Sequence, residues 1–544
     1  MRKTEPRVLI VTGGLLTPSD RALGTALRKQ VVQWRASEGA WLDLAIKLTA
    51  AEPLLLTRLA RARTRDPDVR EYFSAPPDEV PELTEVCLAT LLEAESIVWE
   101  CATVGELFDD PAGIERKLAR ANVVFASSTL LRDLGELSVV VARLRRPHLR
   151  LVVGGALVGL FGDAWEGEPG VDVVAVGYGE WLVPSLADWL RSGAAAPTPP
   201  PLGRLRRGRH SLFLHSGVPT SRDLDWLPLP DWRLAERAHG RRFRTVHYES
   251  VRGCPYRCAF CNYPYLFDDS RFRWKSAERI VADWTRYASE GVELVSCLDS
   301  LFTMPKRRLE ALCYGLIAAA VPVRWAAYAR TSDLCDAATV ALMRRAGCVE
   351  VQIGLESGDD GQLSAMDKYC TSDQNARALD LCRTEGLTTV VSLIVGYPGE
   401  TAATLDTTAR FLEAHPPDFF FLATFSTRAP AVPVLSSESR ARFGLRTVEN
   451  RRAVAPYWTH HTMSCAEVPA KVRALHRHLV RGRVSLDAAA FYDGLRSYRH
   501  HQRAGLLAFQ AQAMEPGPLV ARVFDLAHDA VTRRLRAEVA RAFA

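Results

Sequence analysis

Arg252-Gly-Cys-Pro-Tyr-Arg-Cys-Ala-Phe-Cys-Asn262 places Cys254, Cys258 and Cys261 in the spacing C-x3-C-x2-C. Three thiols within eight residues, following an apolar run and a glycine, can converge on one iron–sulfur cluster. A structural zinc site usually closes with four ligands arranged as two pairs, and no C-x2-C follows downstream. Three cysteines on a four-iron cluster leave one iron open to a ligand. The other nine cysteines of the chain's twelve (Cys87, Cys101, Cys297, Cys313, Cys335, Cys348, Cys370, Cys382 and Cys465) form no second triplet.

Around this loop, short β-branched runs alternate with helical patterns. Strands are predicted at Thr245–Ser250, Leu294–Leu298, Val323–Ala329, Val349–Gly354, Thr389–Val395 and Phe419–Phe425, with helices such as Ala277–Ser289, Ala337–Ala346 and Ser372–Glu385 between them. Six strands joined by helical crossovers predict a partial α/β barrel, a (β/α)6 unit over 244–429. The chain before it reads as a second α/β unit. Arg7–Val11, Ile97–Glu100, Asn122–Ala126, Leu149–Val153 and Val171–Val176 are near-continuous apolar runs, several ending in Gly or Ser. That pattern predicts a doubly wound parallel sheet over 1–192, with ligands at the carboxyl ends of its strands. Residues 17–90 read as a polar, helical insertion. Residues 193–243, rich in proline and arginine, read as an exposed linker, and 430–544 as a helical region.

Composition excludes other classes. The 544 residues are 48% hydrophobic and 24% charged, ordinary globular proportions. No apolar stretch reaches the roughly 18 residues of a membrane span. The run Val8–Val11, broken by Gly13-Gly14, reads as a first strand and not as a signal peptide. A cytoplasmic protein with reduced thiols is therefore expected. The net charge of +6 is small, and no Lys/Arg stripe with interleaved aromatics predicts a nucleic-acid partner.

The cysteine triplet resembles that of the radical S-adenosylmethionine (SAM) superfamily, over roughly 245–426. The resemblance implies that Cys254, Cys258 and Cys261 ligate a 4Fe–4S cluster whose fourth iron is chelated by the amino and carboxylate groups of SAM. It implies further SAM contacts at successive strand ends. Phe260 would pack on adenine. Asp299 and Ser300 would lie near the amino group. Arg330 would meet the carboxylate and Glu356 the ribose. Gly396 and Gly399, in Gly396-Tyr-Pro-Gly399-Glu400, would let backbone approach adenosine.

A doubly wound domain ahead of such a barrel resembles the cobalamin-binding domain of class B radical SAM methyltransferases, best over 95–192. Ser127, Ser128, Thr129, Gly154, Gly155 and Gly177 would then receive the cobalamin tail. The Asp-x-His-x-x-Gly motif that supplies a lower cobalt ligand in other cobalamin proteins is absent, and the lower face is left unassigned. The implied chemistry uses SAM twice, as methyl donor to cobalamin and as source of a 5′-deoxyadenosyl radical, with an external electron donor of flavodoxin or ferredoxin type. The stretches Cys261–Asp269, Cys297–Pro305 and Tyr457–Met463 are similar to those of enzymes of natural-product biosynthesis, most of all the P-methyltransferases of phosphinothricin peptides. An H-phosphinate is accordingly the leading acceptor, with a peptide, polyketide or indole carbon as the alternative. Trp458, His460, His461 and Met463 are candidate substrate-pocket residues. A non-methylating radical SAM enzyme is the rival class.

Overall fold

The computed structural model describes residues 6–15, 39–74, 80–161, 165–266, 271–426, 431–448, 457–491 and 497–544. The expected boundary at 429/430 and much of the expected insertion, 17–38, lie outside these. Two seven-stranded sheets organise the chain. No helix among the described residues is long and apolar enough to cross a membrane.

The first sheet has the order β2-β1-β3-β4-β5-β7-β6. Its strands are β1 (Arg7–Thr12), β2 (Val98–Thr103), β3 (Val123–Ser127), β4 (Arg150–Gly154), β5 (Val173–Val176), β6 (Arg204–Arg207) and β7 (Leu212–His215). Side-chain alternation divides its apolar residues between two cores. Leu9 and Val11 pack on one face with the helices Pro111–Arg120 and Leu134–Leu144. Val8 and Ile10 pack on the other with Leu83–Ala94 and Gly179–Ser192. Burial on both faces is why these strands read as continuous apolar runs.

The expected linker 193–243 is structured. β6 and β7 form an antiparallel hairpin that joins the sheet beside β5, and Phe213 and Leu214 are buried. The Pro/Arg composition of the flanks masked the short apolar run Leu212-Phe-Leu-His215. A helix, Trp232–His239, follows, capped by the Asp231 carboxylate accepting the Arg233 N–H at 3.1 Å.

The second sheet, in the order β18-β15-β14-β13-β12-β11-β8, is parallel throughout. β8 (Thr245–Tyr248) is followed by the short antiparallel pair β9 (Val251–Arg252) and β10 (Arg273–Trp274). Then come β11 (Leu294–Cys297), β12 (Arg324–Ala329), β13 (Cys348–Glu356), β14 (Thr388–Val395) and β15 (Phe419–Thr424). The six expected strands are all present. The C-terminal region is not wholly helical: it contains β16 (Arg446–Thr447), β17 (Trp458–Thr459) and β18 (Leu486–Asp487), and β18 adds a seventh strand beside β15. A two-residue strand has no readable period. The helix Ala40–Arg61, from the insertion, packs on the C-terminal helices. There buried Glu52 accepts from Arg473 at 2.7 and 2.9 Å, from Arg477 at 2.9 Å, and meets His528 Nε2 at 3.0 Å.

Candidate active site between two sheets

The cysteine loop leaves β9 through Gly253, whose φ is +74° and whose missing side chain leaves room for the Arg271 carbonyl. Backbone bonds pin the loop from several sides. The Ala259 N–H donates to Met366 O at 2.8 Å, the Val434 N–H to Ala259 O at 2.9 Å, and the Ser300 hydroxyl to Gly253 O at 2.9 Å. Cys258 is buried, with Cys254 and Cys261 half-buried, and the Cys261 thiol lies within electrostatic reach of both others. Burial raises the Cys254 pKa and pushes Cys261 up to about 11. Three cysteines on one loop, each within electrostatic reach of another, supply the three thiolates a four-iron cluster takes from the protein and leave one iron open.

Two cations flank the sulfurs. Arg330 directs Nη1 at Cys258 Sγ, 3.6 Å away, stacks 3.8 Å from the Tyr256 ring centroid, and donates to the Lys368 carbonyl. Lys368, absent from the sequence reading, pairs with Glu356 at 2.9 Å, both side chains buried. Burial works against its ammonium, but Glu356 and Cys258 outweigh that and its pKa is raised. Phe260 lies beside this pair, its centroid 5.9 Å from Lys368 Nζ.

Other expected SAM contacts are occupied by protein. Asp299 was placed near the SAM amino group. It instead braces the start of the loop, accepting the N–H groups of Ser250 and Val251 at 2.6 and 2.8 Å and the Ser250 hydroxyl at 2.5 Å. Burial pushes its pKa up to about 6, against the Ser250 contacts and Arg308. A buried acid with a raised pKa binds its proton more tightly when folded, so it costs stability as pH rises from about 4 through 6. Asp299→Asn keeps the shape and removes the titration. Wild-type apo-protein should therefore lose about 2 kcal/mol relative to D299N between pH 4 and pH 7. Denaturant curves at the two pH values check this, and parallel changes in both proteins would contradict it.

Gly396 and Gly399 were expected to admit adenosine. Both have positive φ, but what approaches them is the C-terminal region. A Cβ on Gly396 would stand 2.5 Å from Val468 and 3.0 Å from Trp458, and one on Gly399 would stand 3.1 Å from Phe443. Trp458 and His460, expected in a substrate pocket, are buried and stacked at 5.3 Å. Trp458 Nε1 donates to Phe425 O at 3.1 Å and His460 Nε2 meets Gly396 O at 3.3 Å. Burial lowers the His460 pKa to about 4. Met463 is buried with them, and its carbonyl accepts the His460 N–H at 2.9 Å. His461 is exposed against Gly444. The cluster seals the barrel end.

The carboxyl ends of the first sheet face the cysteine loop. A cavity of about 470 Å³ lies between them. Thr129, Leu131, Ala156, Leu157 and Leu160 form one wall. Phe260, Cys261, Asn262, Tyr263 and Leu266 form the opposite wall, and Ile394 with Ala423–Ser426 from the ends of β14 and β15 complete it. Of the six candidate cobalamin residues, Thr129 alone is among the lining residues. Ser127, Ser128, Gly154 and Gly155 build the turns behind it. Ser128 Oγ donates to Gly154 O at 2.8 Å, Thr129 N–H to Ser127 Oγ at 3.3 Å, and a Cβ on Gly155 would stand 2.7 Å from Thr129 Oγ1. Gly177, at φ +106°, lies against Ser216 instead. The apolar wall from Leu131 and Ala156–Leu160 carries no motif and was missed.

An ion pair joins the two sheets' units. Arg252, from the Arg-Gly-Cys lead-in, makes a two-pronged contact with Glu180 at 2.7 and 3.1 Å and also binds Glu249 at 2.8 Å. Arg252 and Glu180 are both about nine-tenths buried. Although burial alone would raise it, the Glu180 pKa is held below the ordinary range by Arg252.

This is the arrangement of a barrel with a cysteine-bearing first loop, faced by a doubly wound sheet. Residues 248–412 match the family model of the radical SAM superfamily, and this part of the chain is a radical SAM domain. An uncharacterized methyltransferase of Pyrococcus horikoshii is 27% identical over 263 residues, 47% of this chain and 56% of its own length. The anaerobic magnesium-protoporphyrin IX monomethyl ester cyclase of Cereibacter sphaeroides is 27% identical over 52% of this chain and 47% of its own. The chain thus spans about half the length of these curated relatives. The solved structure of the radical SAM methyltransferase TsrM from Kitasatospora setae, with cobalamin and a [4Fe-4S] cluster bound, covers 99% of this chain and 100% of its own at 16% identity and a TM-score of 0.57. The fold is shared over the whole length.

Proposed function

We propose that this chain is a cobalamin-dependent radical SAM methyltransferase acting on a natural-product intermediate. The cavity carries this reading: the third cysteine of the triplet lies on one wall and the strand ends of the doubly wound sheet form the other. The relative named a methyltransferase and the fold shared with TsrM support it. In this reading 1–192, extended by the β6–β7 hairpin, form the cobalamin domain, 244–429 the radical SAM barrel, and 430–544 the region sealing the barrel end.

The donors fit the groups. Cys254, Cys258 and Cys261 hold the cluster, with Arg330 and Lys368 supplying positive charge beside the thiolates. Phe260 offers a flat face for adenine, with Ser300 bonded to the loop at Gly253 and Glu356 paired to Lys368 as polar groups of the site. Thr129, on the cavity wall, would meet the cobalamin tail, and the small residues behind it build the turn that places Thr129 there. Leu131, Leu157 and Leu160 make a dry, apolar seat. Bound there, the cluster and SAM supply radical initiation and cobalamin supplies methyl carriage. The protein excludes water and holds the acceptor between the walls.

The described lining residues include no charged side chain. A buried anionic H-phosphinate needs a guanidinium or ammonium partner. The lining favours the alternative, a neutral and largely apolar carbon acceptor oriented by Asn262, Tyr263, Thr424 and Ser426. An electron donor of flavodoxin or ferredoxin type belongs to this reading.

Two experiments test it. Anaerobically loaded enzyme given SAM should form S-adenosylhomocysteine only when cobalamin is retained; formation of 5′-deoxyadenosine alone would move the chain to the non-methylating class. Ala156→Trp, which puts an indole into the cavity, should abolish cobalamin retention and leave the iron content unchanged, read from the visible spectrum and iron assay after desalting.

A further inference from the structure

We propose that Lys368, beside Arg330, is a fixed cation of the cysteine site, a positioning residue whose ammonium raises the reduction potential of the cluster held by Cys254, Cys258 and Cys261. This rests on the reading of those cysteines as cluster ligands and goes beyond it.

Four features build the placement. Lys368 follows the helix Asp360–Ala365 and is flanked by Asp367 and Tyr369, with φ of +49° and +53°. Two departures into the left-handed region on either side of one residue, both by residues other than glycine, are costly, and they persist only where the surroundings over-determine them. The surroundings do so here. The Met366 carbonyl accepts from Ala259 in the cysteine loop, the Lys368 N–H donates to Leu363 O at 3.0 Å, and the Lys368 carbonyl accepts from Arg330. On the barrel side, Glu356 is also left-handed, at φ +65°, and turns its carboxylate onto the ammonium at 2.9 Å. Gly354 completes the niche: a Cβ there would lie 2.5 Å from Glu356 Oε1 and 2.9 Å from Lys368 Nζ. Three residues in the left-handed region and the open space at Gly354 frame a single buried ion pair beside Cys258. Nothing in this packing is needed to close the barrel, because β13 is already paired on both edges with β12 and β14.

A buried charge in a low-dielectric site acts strongly on its neighbours. Reduction adds an electron to the cluster, so a nearby cation favours the reduced form, and a nearby carboxylate opposes it. Lys368 and Glu356 therefore pull the potential in opposite directions.

The test is a redox titration of anaerobically reconstituted full-length protein with a low-potential chemical reductant at pH 8.5. The cluster signal is followed by electron paramagnetic resonance. Lys368→Met should move the midpoint to more negative potential, Glu356→Gln to more positive potential, and Lys368→Arg should leave it near wild type. If K368M holds no cluster, the E356Q and K368R arms decide. Clusters in all variants at one unchanged potential would overturn the proposal alone. So would a weakened SAM affinity of K368M at unchanged potential, which would make Lys368 a SAM contact. Failure of the wild type to assemble a four-iron cluster would overturn the cluster reading itself.

Discussion

Replacing Cys254, Cys258 and Cys261 together by alanine is expected to reduce iron uptake to background and abolish turnover in the same protein. The loop they occupy is held by backbone bonds from Ala259, Met366 and Val434 and by Ser300, none of which uses a thiol. The apo-protein should accordingly fold as wild type does, with an unchanged circular dichroism spectrum and melting temperature. The effect is then on chemistry and not on structure. Single substitutions should nearly match the triple one, because a cluster already one protein ligand short tolerates no further loss. Turnover retained without iron would remove the radical mechanism.

The second large effect belongs to Arg252→Ala. The substitution leaves Glu180 without its partner in a site about nine-tenths buried, with Glu249 half-exposed beside it. Breaking a buried pair from one side costs about 3–5 kcal/mol. Lysine should not rescue it, since one ammonium cannot reproduce the two-pronged contact. The loss should ease at low pH, because the unpartnered Glu180 can then bind a proton and become neutral. Arg252 also stands two residues before Cys254, so iron occupancy should fall with stability. Denaturant curves at pH 5 and pH 8, with iron assays, check both statements. A variant as stable as wild type at pH 8 would show that the Glu180 contact does not join the two sheets.

The cysteine triplet and the six barrel strands were legible because each is a local pattern. The strands are apolar runs bounded by turns, and the helix Ala277–Ser289 has the bounds read for it, with the Ser276 side chain capping its start. What was missed depends on partners distant in sequence. Gly396 and Gly399 sit in a turn as read, but the close approach they permit comes from Val468, Trp458 and Phe443. Asp299 lies at the expected strand end, yet its oxygens turn back to Ser250 and Val251. Lys368 carries no signature, since its burial depends on left-handed backbone at Asp367 and Tyr369, neither of them glycine. The cavity wall from Leu131 and Ala156–Leu160 reads as ordinary helix and loop residues, and only the opposing barrel makes it a wall.

The central claim is that one cavity serves both a cluster on Cys254, Cys258 and Cys261 and a cobalamin on the facing sheet. Its most direct test is the cofactor content of a single anaerobically reconstituted sample after desalting. About four irons and one cobalamin are expected on the same polypeptide, with Ala156→Trp losing the second and keeping the first. Iron retained without any cobalamin absorbance in the wild type would contradict it.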